Sequence, residues 1–196
     1  MNSLVKSNVR KLLIVDDEKP LRTLFSMALD ALDYENVEAE SGVSALDELG
    51  KDNSFNLVLL DLSMPGLSGL DVLRLMRERG DYTPVVILSA FIPGSAILKA
   101  AFHGVSTFVG KPVTLDRLRE TVTTGLMQEP RRSFLRRAHK AALRSDFEEA
   151  ARILGGIEGR SRRESLWLQI YEAFADGKRP SDLRHLEKQT ERLVIH

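Results

Sequence analysis

Five short runs rich in branched apolar residues recur along the first part of the chain: LLIV at 12–15, NVEA at 36–39, LVLL at 57–60, VVIL at 85–88 and TFV at 107–109. Between them lie LRTLFSMALDAL, VSALDELG, GLDVLRLMRERG and SAILKAAFHG, and after the last comes LDRLRETVTTGLM, all with apolar residues at helical spacing. Strand and helix alternating five times predict an α/β fold with a parallel sheet, because each helix carries the chain back to start the next strand in the same direction. Runs that are continuous rather than alternating predict a sheet buried on both faces, and so a doubly wound one. NVEA is the weakest of the five. Pro20 falls early in the first helix, where a missing amide hydrogen costs little, and Gly50, Gly80 and Gly104 stand where helices are expected to stop. Thr114 with Asp116 reads as the capped start of the fifth helix.

The chain has 196 residues, 43% of them apolar, enough for one domain with a sizeable core and a small second unit. It has no cysteine, which excludes a disulfide framework, thiol catalysis and cysteine-ligated zinc. LLIV near the N-terminus stops at two aspartates, too short for a secretory apolar region, and no segment approaches the ~20 apolar residues that span a membrane. A soluble, cytoplasmic protein with no membrane insertion is the expectation.

Charge is zero overall but uneven. Residues 1–127 hold 13 basic and 17 acidic side chains, net −4, and residues 128–196 hold 15 and 11, net +4. The character changes at the same place: QEPRRSFLRR has a proline and four arginines and little strand signal. The organisation expected is a domain over 1–127, a linker at 128–132 and an all-α region over 133–196. In that region SFLRRAHKAALRS, DFEEAARILGGI, RRESLWLQIYEAFADG and SDLRHLEKQTERLVIH read as four helices, with no strand candidate. Trp167, Leu168, Ile170 and Tyr171 sit at helical spacing and are expected to form its core.

In a doubly wound sheet the ligand site lies outside the carboxyl ends of the strands. The first run is followed by Asp16 and Asp17, the third by Asp61, the fourth by Ser89 and the fifth, after one glycine, by Lys111. A carboxylate at the edge of an apolar core is costly to desolvate without compensation. Three of them repel one another, and a hard divalent cation such as Mg²⁺, with oxygen ligands, relieves that repulsion. Lysine adds a point positive charge and serine a hydroxyl, a set suited to a phosphoryl group with an ionised aspartate as nucleophile. Taken alone, Asp16 and Asp17 could equally cap the first helix with Glu18, and Asp61 a turn.

Taken in order, Asp16-Asp17 after LLIV, Asp61 with LSMPGLSGL, Ser89-Ala90 after VVIL and Lys111-Pro112 after TFVG resemble the receiver domain of two-component response regulators, over about residues 9–127. The resemblance implies a flavodoxin-like five-stranded sheet and a phosphoacceptor signalling protein, not an enzyme beyond its own phosphorylation and dephosphorylation. It implies that Asp61 takes a phosphoryl group from a sensor histidine kinase or phosphotransfer protein, forming an acyl phosphate. Asp17 and Asp61 would bind Mg²⁺ with the backbone carbonyl of Ser63, Asp16 acting partly through water. Lys111 would pair with a phosphate oxygen, Pro112 would follow a cis bond, and Ser89 and Phe108 would be the switch. Where relatives often carry tyrosine, Phe108 lacks a hydroxyl.

His103, His139, His185 and His196 match no metal spacing and read as solvated. For residues 128–196 the favoured output is protein interaction, with a downstream protein target or a second copy of the chain. AALRSDFEEAARIL faintly resembles one tetratricopeptide hairpin. The alternative is a DNA-binding output with a degenerate helix-turn-helix in SRRESLWLQIYEAFADGKRPSDL, not favoured because acidic Glu187 and Glu191 interleave the segment where a basic recognition helix belongs.

Overall fold

Neighbouring residues of the apolar runs face opposite sides of one parallel sheet. The computed structural model describes residues 10–32, 34–51, 54–90, 94–103, 105, 107–127, 134, 137–138, 140–142, 144–160, 162–178, 180–183, 185–186, 189 and 194–195. Along the chain run β1 (Arg10–Val15), α1 (Lys19–Asp30), β2 (Tyr34–Ala39), α2 (Gly42–Lys51), β3 (Phe55–Asp61), α3 (Gly69–Glu78), β4 (Val85–Ser89), α4 (Gly94–Phe102), β5 (Thr107–Gly110) and α5 (Leu115–Met127). After them come α6 (Phe147–Gly155), α7 (Arg162–Ala175), a 3₁₀ turn (Pro180–Leu183) and β6 (Val194–Ile195). The strand order is β2-β1-β3-β4-β5-β6, every pair parallel.

The first five strands and their helices follow the order expected of a doubly wound α/β fold. Leu12, Ile14, Leu57, Leu59, Val86, Leu88 and Val109 pack with Phe25, Ala28 and Leu29 of α1 and Leu118 and Val122 of α5. Their neighbours Leu13, Val15, Val58, Leu60, Ile87 and Phe108 pack on the other face with α2, α3 and α4. Strands buried on both faces gain nothing from a polar alternation, which explains the unbroken apolar runs.

One helix end differs from expectation. α2 runs through Gly50 to Lys51, whereas Gly80 does end α3: its φ is +78°, a value open to glycine at little cost, and its N–H donates to Arg77 O while Asp81 N–H donates to Met76 O. Gly104 lies outside the described residues.

The larger differences are in the tail. The last of the four expected helices gives way to a 3₁₀ turn, helical backbone at 185–186 and 189, and then β6, where no strand was expected. The tail also shares a core with the sheet: Ala138, Ala142, Leu154, Trp167, Ile170, Tyr171 and Leu183 belong to the same buried cluster as Leu60, Met76, Ile97 and Phe108. Phe147 of α6 rests against the rings of Tyr171 and Phe174 of α7, at 6.5 and 5.2 Å between centroids. Residues 128–132 lie outside the described residues.

At the seam sits Arg77, 4% exposed. Its Nε donates to His103 O at 2.8 Å and its Nη1 to Asp81 O at 2.7 Å. Its guanidinium lies 5.9 Å from the ring of Tyr82, and Lys140 of the tail lies 6.0 Å from the same ring. Burial pushes Arg77 down to about 10, against the opposing pull of Asp81, Tyr82 and Tyr171, so it stays charged at neutral pH. His103 is half-buried rather than solvated, and desolvation, followed by Arg77 and Arg74, holds it below the ordinary histidine range. His185 is exposed, and His139 and His196 lie outside the described residues.

Candidate functional site

Asp16 leaves β1, Asp61 ends β3, Ser89 ends β4 and Lys111 leaves β5, so the parallel sheet carries all four to one edge. The Lys111 ammonium joins two of the carboxylates, its Nζ donating to Asp16 Oδ2 and to Asp61 Oδ1, each at 2.7 Å. All three side chains are largely out of water, at 12% exposure for Lys111, 2% for Asp16 and 6% for Asp61. Burial alone would lower the lysine pKa, but the hydrogen bonds and charges of Asp16 and Asp61 outweigh it and hold Lys111 above its ordinary value. The free backbone next to each carboxylate completes its hydrogen bonding. Ser63 N–H donates to Asp61 Oδ2 at 2.8 Å, and Glu18 N–H to Asp16 Oδ1 at 2.9 Å. Lys111 is placed in turn by its own N–H, which donates to Ser89 O at 2.8 Å.

Asp17, next in the chain after Asp16, is exposed. Ser89 is buried at 2% exposure, and Phe108 is fully buried in the core on the α3–α4 side. The Lys111–Pro112 peptide bond is cis. One ammonium against Asp16, Asp17 and Asp61 leaves the edge with excess negative charge made of hard oxygen atoms. Among the described residues no three metal-binding side chains are gathered round one point. Mg²⁺ does not need them, since it keeps several waters and takes one or two carboxylates; the donor set therefore fits that ion.

Three features of the site escaped the sequence reading. Arg22, 6% exposed on the inward side of α1, donates from Nη1 to Asp16 O at 2.7 Å and meets Glu38 at 3.4 Å. Nothing in the spacing of α1 singles it out. Ser68 and Asp71 form a capping box at the start of α3, each accepting the other's backbone N–H, and the S-x-x-D pattern before an apolar run was there to be read. Gly69 is the third. A Cβ there would collide with Asp61 O and come within 3.0 Å of Leu62 Cα. The first turn of α3 lies directly on the backbone of Asp61, and only glycine permits it. Gly69→Ala is expected to lower unfolding free energy in urea by about 3 kcal/mol, since a backbone obstacle cannot rotate away.

Known proteins are similar to this chain in sequence and fold. The family model for the response regulator receiver domain matches residues 12–123. The Regulator of RpoS of Escherichia coli is 40% identical over 114 residues, 58% of this chain and 34% of that protein, so the chain spans about a third of that relative's length. The chemotaxis protein CheY of Pseudomonas aeruginosa is 37% identical over 115 residues, 57% of this chain and 92% of that one. Among solved structures, the response regulator protein TrrA of Thermotoga maritima in complex with Mg²⁺-BeF is 31% identical with a TM-score of 0.52, covering 60% of this chain and 100% of that one. Vibrio cholerae CheY4 is 26% identical with a TM-score of 0.57, covering 60% and 99%. A buried lysine tying together two strand-end aspartates, on a five-stranded doubly wound sheet that this family model spans, leads to one conclusion: the chain belongs to the response regulator receiver family.

Proposed function

We propose that Asp61 is the phosphoacceptor of a two-component relay, and the observation that carries it is the Lys111 bridge to Asp16 and Asp61. The receiver-family match supports a signalling protein rather than a catalytic enzyme. A sensor histidine kinase or phosphotransfer protein presents a phosphohistidine. A carboxylate oxygen of Asp61 forms the new P–O bond as the P–N bond breaks, and the departing imidazole takes up a proton. Lys111 stays within reach of the new phosphoryl oxygens, and the Ser63 N–H remains a donor beside them. Asp17, Asp61 and the backbone carbonyl of Ser63 would hold Mg²⁺, with Asp16 acting through water. When bound, the ion offsets the charge that builds up on the transferring group. Ser89 and Phe108 form the switch, and the phosphoryl group favours one of two arrangements of β4, β5 and the helices beside them.

The chain divides functionally into a receiver over 1–127, a connection at 128–132 and an output region over 133–196 that captures a protein target or a second copy. A DNA-binding output is the lesser reading, because acidic Glu187 and Glu191 interleave the segment where a basic recognition helix belongs. Among the described residues no helix is long and apolar enough to cross a membrane.

The test is mass spectrometry of the intact protein after incubation with acetyl phosphate. One phosphoryl group is expected with Mg²⁺ present. Chelation by EDTA should slow the reaction about 100-fold, the scale of several kcal/mol of charge stabilisation. Labelling at an equal rate in EDTA would count against the assigned ligands.

A further inference from the structure

The five strands of the receiver leave β5 at an open side of the sheet, and residues from the far end of the chain close it. Val194 pairs with Phe108 and Ile195 with Val109, parallel to β5. All four residues of β5 are buried. An uncovered β5 would therefore present unpaired peptide groups along a strongly apolar strand. Yet the cover is two residues long, where the other five strands have four to seven. It also ends a segment, LRHLEKQTERLVIH, whose apolar spacing is helical. A strand of this length, held by few main-chain bonds at a sheet edge, is among the first parts of a fold to open.

Its position ties it to the phosphorylation site. From β6 the register passes through Phe108 to Ile87 and through Val109 to Leu88, one residue short of Ser89, whose carbonyl accepts from the Lys111 N–H at 2.8 Å. A second contact lies at the other end of β5: Arg77 holds the carbonyl of His103, just before that strand, and shares the Tyr82 ring with Lys140 of the tail. The tail thus pairs with the β5 edge and lies, through Lys140, on the Tyr82 ring that Arg77 also covers.

We propose that the β5 edge is a strand-docking surface occupied by this chain's own Val194–Ile195, and that phosphorylation of Asp61 displaces that strand. The inference rests on the phosphoacceptor reading. With Asp61 unmodified, the tethered segment is held at high local concentration and keeps the edge closed. A shift of Ser89 and Phe108 alters the β5 backbone to which β6 is paired, and the two-residue strand leaves.

Hydrogen–deuterium exchange on the full chain tests this, with Mg²⁺ alone and with Mg²⁺ plus beryllofluoride, whose binding is followed independently by ¹⁹F NMR. Peptides covering 105–111 and 189–196 are expected to exchange about tenfold faster in the fluoride-bound protein, while those of β1 and β3 keep their protection. A full-length V194P/I195P variant, unable to donate from those two backbone positions, is expected to show fast exchange at 105–111 without fluoride. It should also take up phosphoryl groups from acetyl phosphate several-fold faster than the parent. Unchanged exchange in the presence of a bound-fluoride resonance overturns the inference and leaves the phosphoacceptor reading intact. The absence of that resonance overturns both. A proline variant labelled at the parental rate overturns the link between strand and site.

Discussion

Asp61→Asn abolishes the phosphoryl label. The amide keeps the size and shape of the side chain but is not a nucleophile at neutral pH, so no hydroxylamine-labile acyl phosphate forms from acetyl phosphate. Two contacts constrain the substituted side chain: Oδ1 accepts from Lys111 Nζ and Oδ2 from the Ser63 N–H. An amide has one acceptor oxygen, so its NH₂ must face either the ammonium or the backbone donor. The resulting donor–donor contact is expected to cost about 1–3 kcal/mol. Lys111 retains Asp16 at 2.7 Å, so the variant should still fold. Circular dichroism checks the fold, and intact mass checks the label. A hydroxylamine-labile phosphoryl group on the Asn variant would move the acceptor to another residue.

How much of this was legible depended on the length of each signal. Four of the five receiver strands, all but the half-exposed β2, hold continuous apolar runs, and both faces of the sheet enforce that pattern. Asp16, Asp61, Ser89 and Lys111 were legible because topology alone sends strand ends to one edge. What the spacing could not show was the pairing within that edge, where Lys111 reaches Asp16 and Asp61 while Asp17 faces solvent. β6 left no trace because two residues at the end of a helical pattern carry no period of their own. Arg22 and Arg77 were missed for a different reason. Each satisfies its guanidinium mainly on backbone carbonyls, Asp16 O for one and His103 O and Asp81 O for the other. Carbonyl acceptors are present at every residue, so no side-chain partner stands out in the sequence to mark the site.

The tail was read as a unit with its own core around Trp167, and the packing supplies a sharper expectation. Trp167 is 1% exposed, and its cluster runs without interruption from α6 and α7 into α3, α4 and the sheet. Trp167→Ala is expected to cost about 3–5 kcal/mol, the transfer of a large ring plus the cavity it leaves. Against a total of about 5–15 kcal/mol for a domain, that is a large share. Because the cluster is continuous, the loss should not stay in the tail: calorimetry is expected to show one transition for the whole chain, moved down by about 10 °C or more. Trp167→Phe, which refills much of the volume, should recover over half of the shift. Two separate transitions, with the receiver's unmoved in the Ala variant, would mean that the tail melts alone and that its contact with α3 and β5 contributes little. A single shifted transition would mean that Phe108 and Trp167 stabilise one body, so that any rearrangement of the switch strand is felt by the helices that follow it.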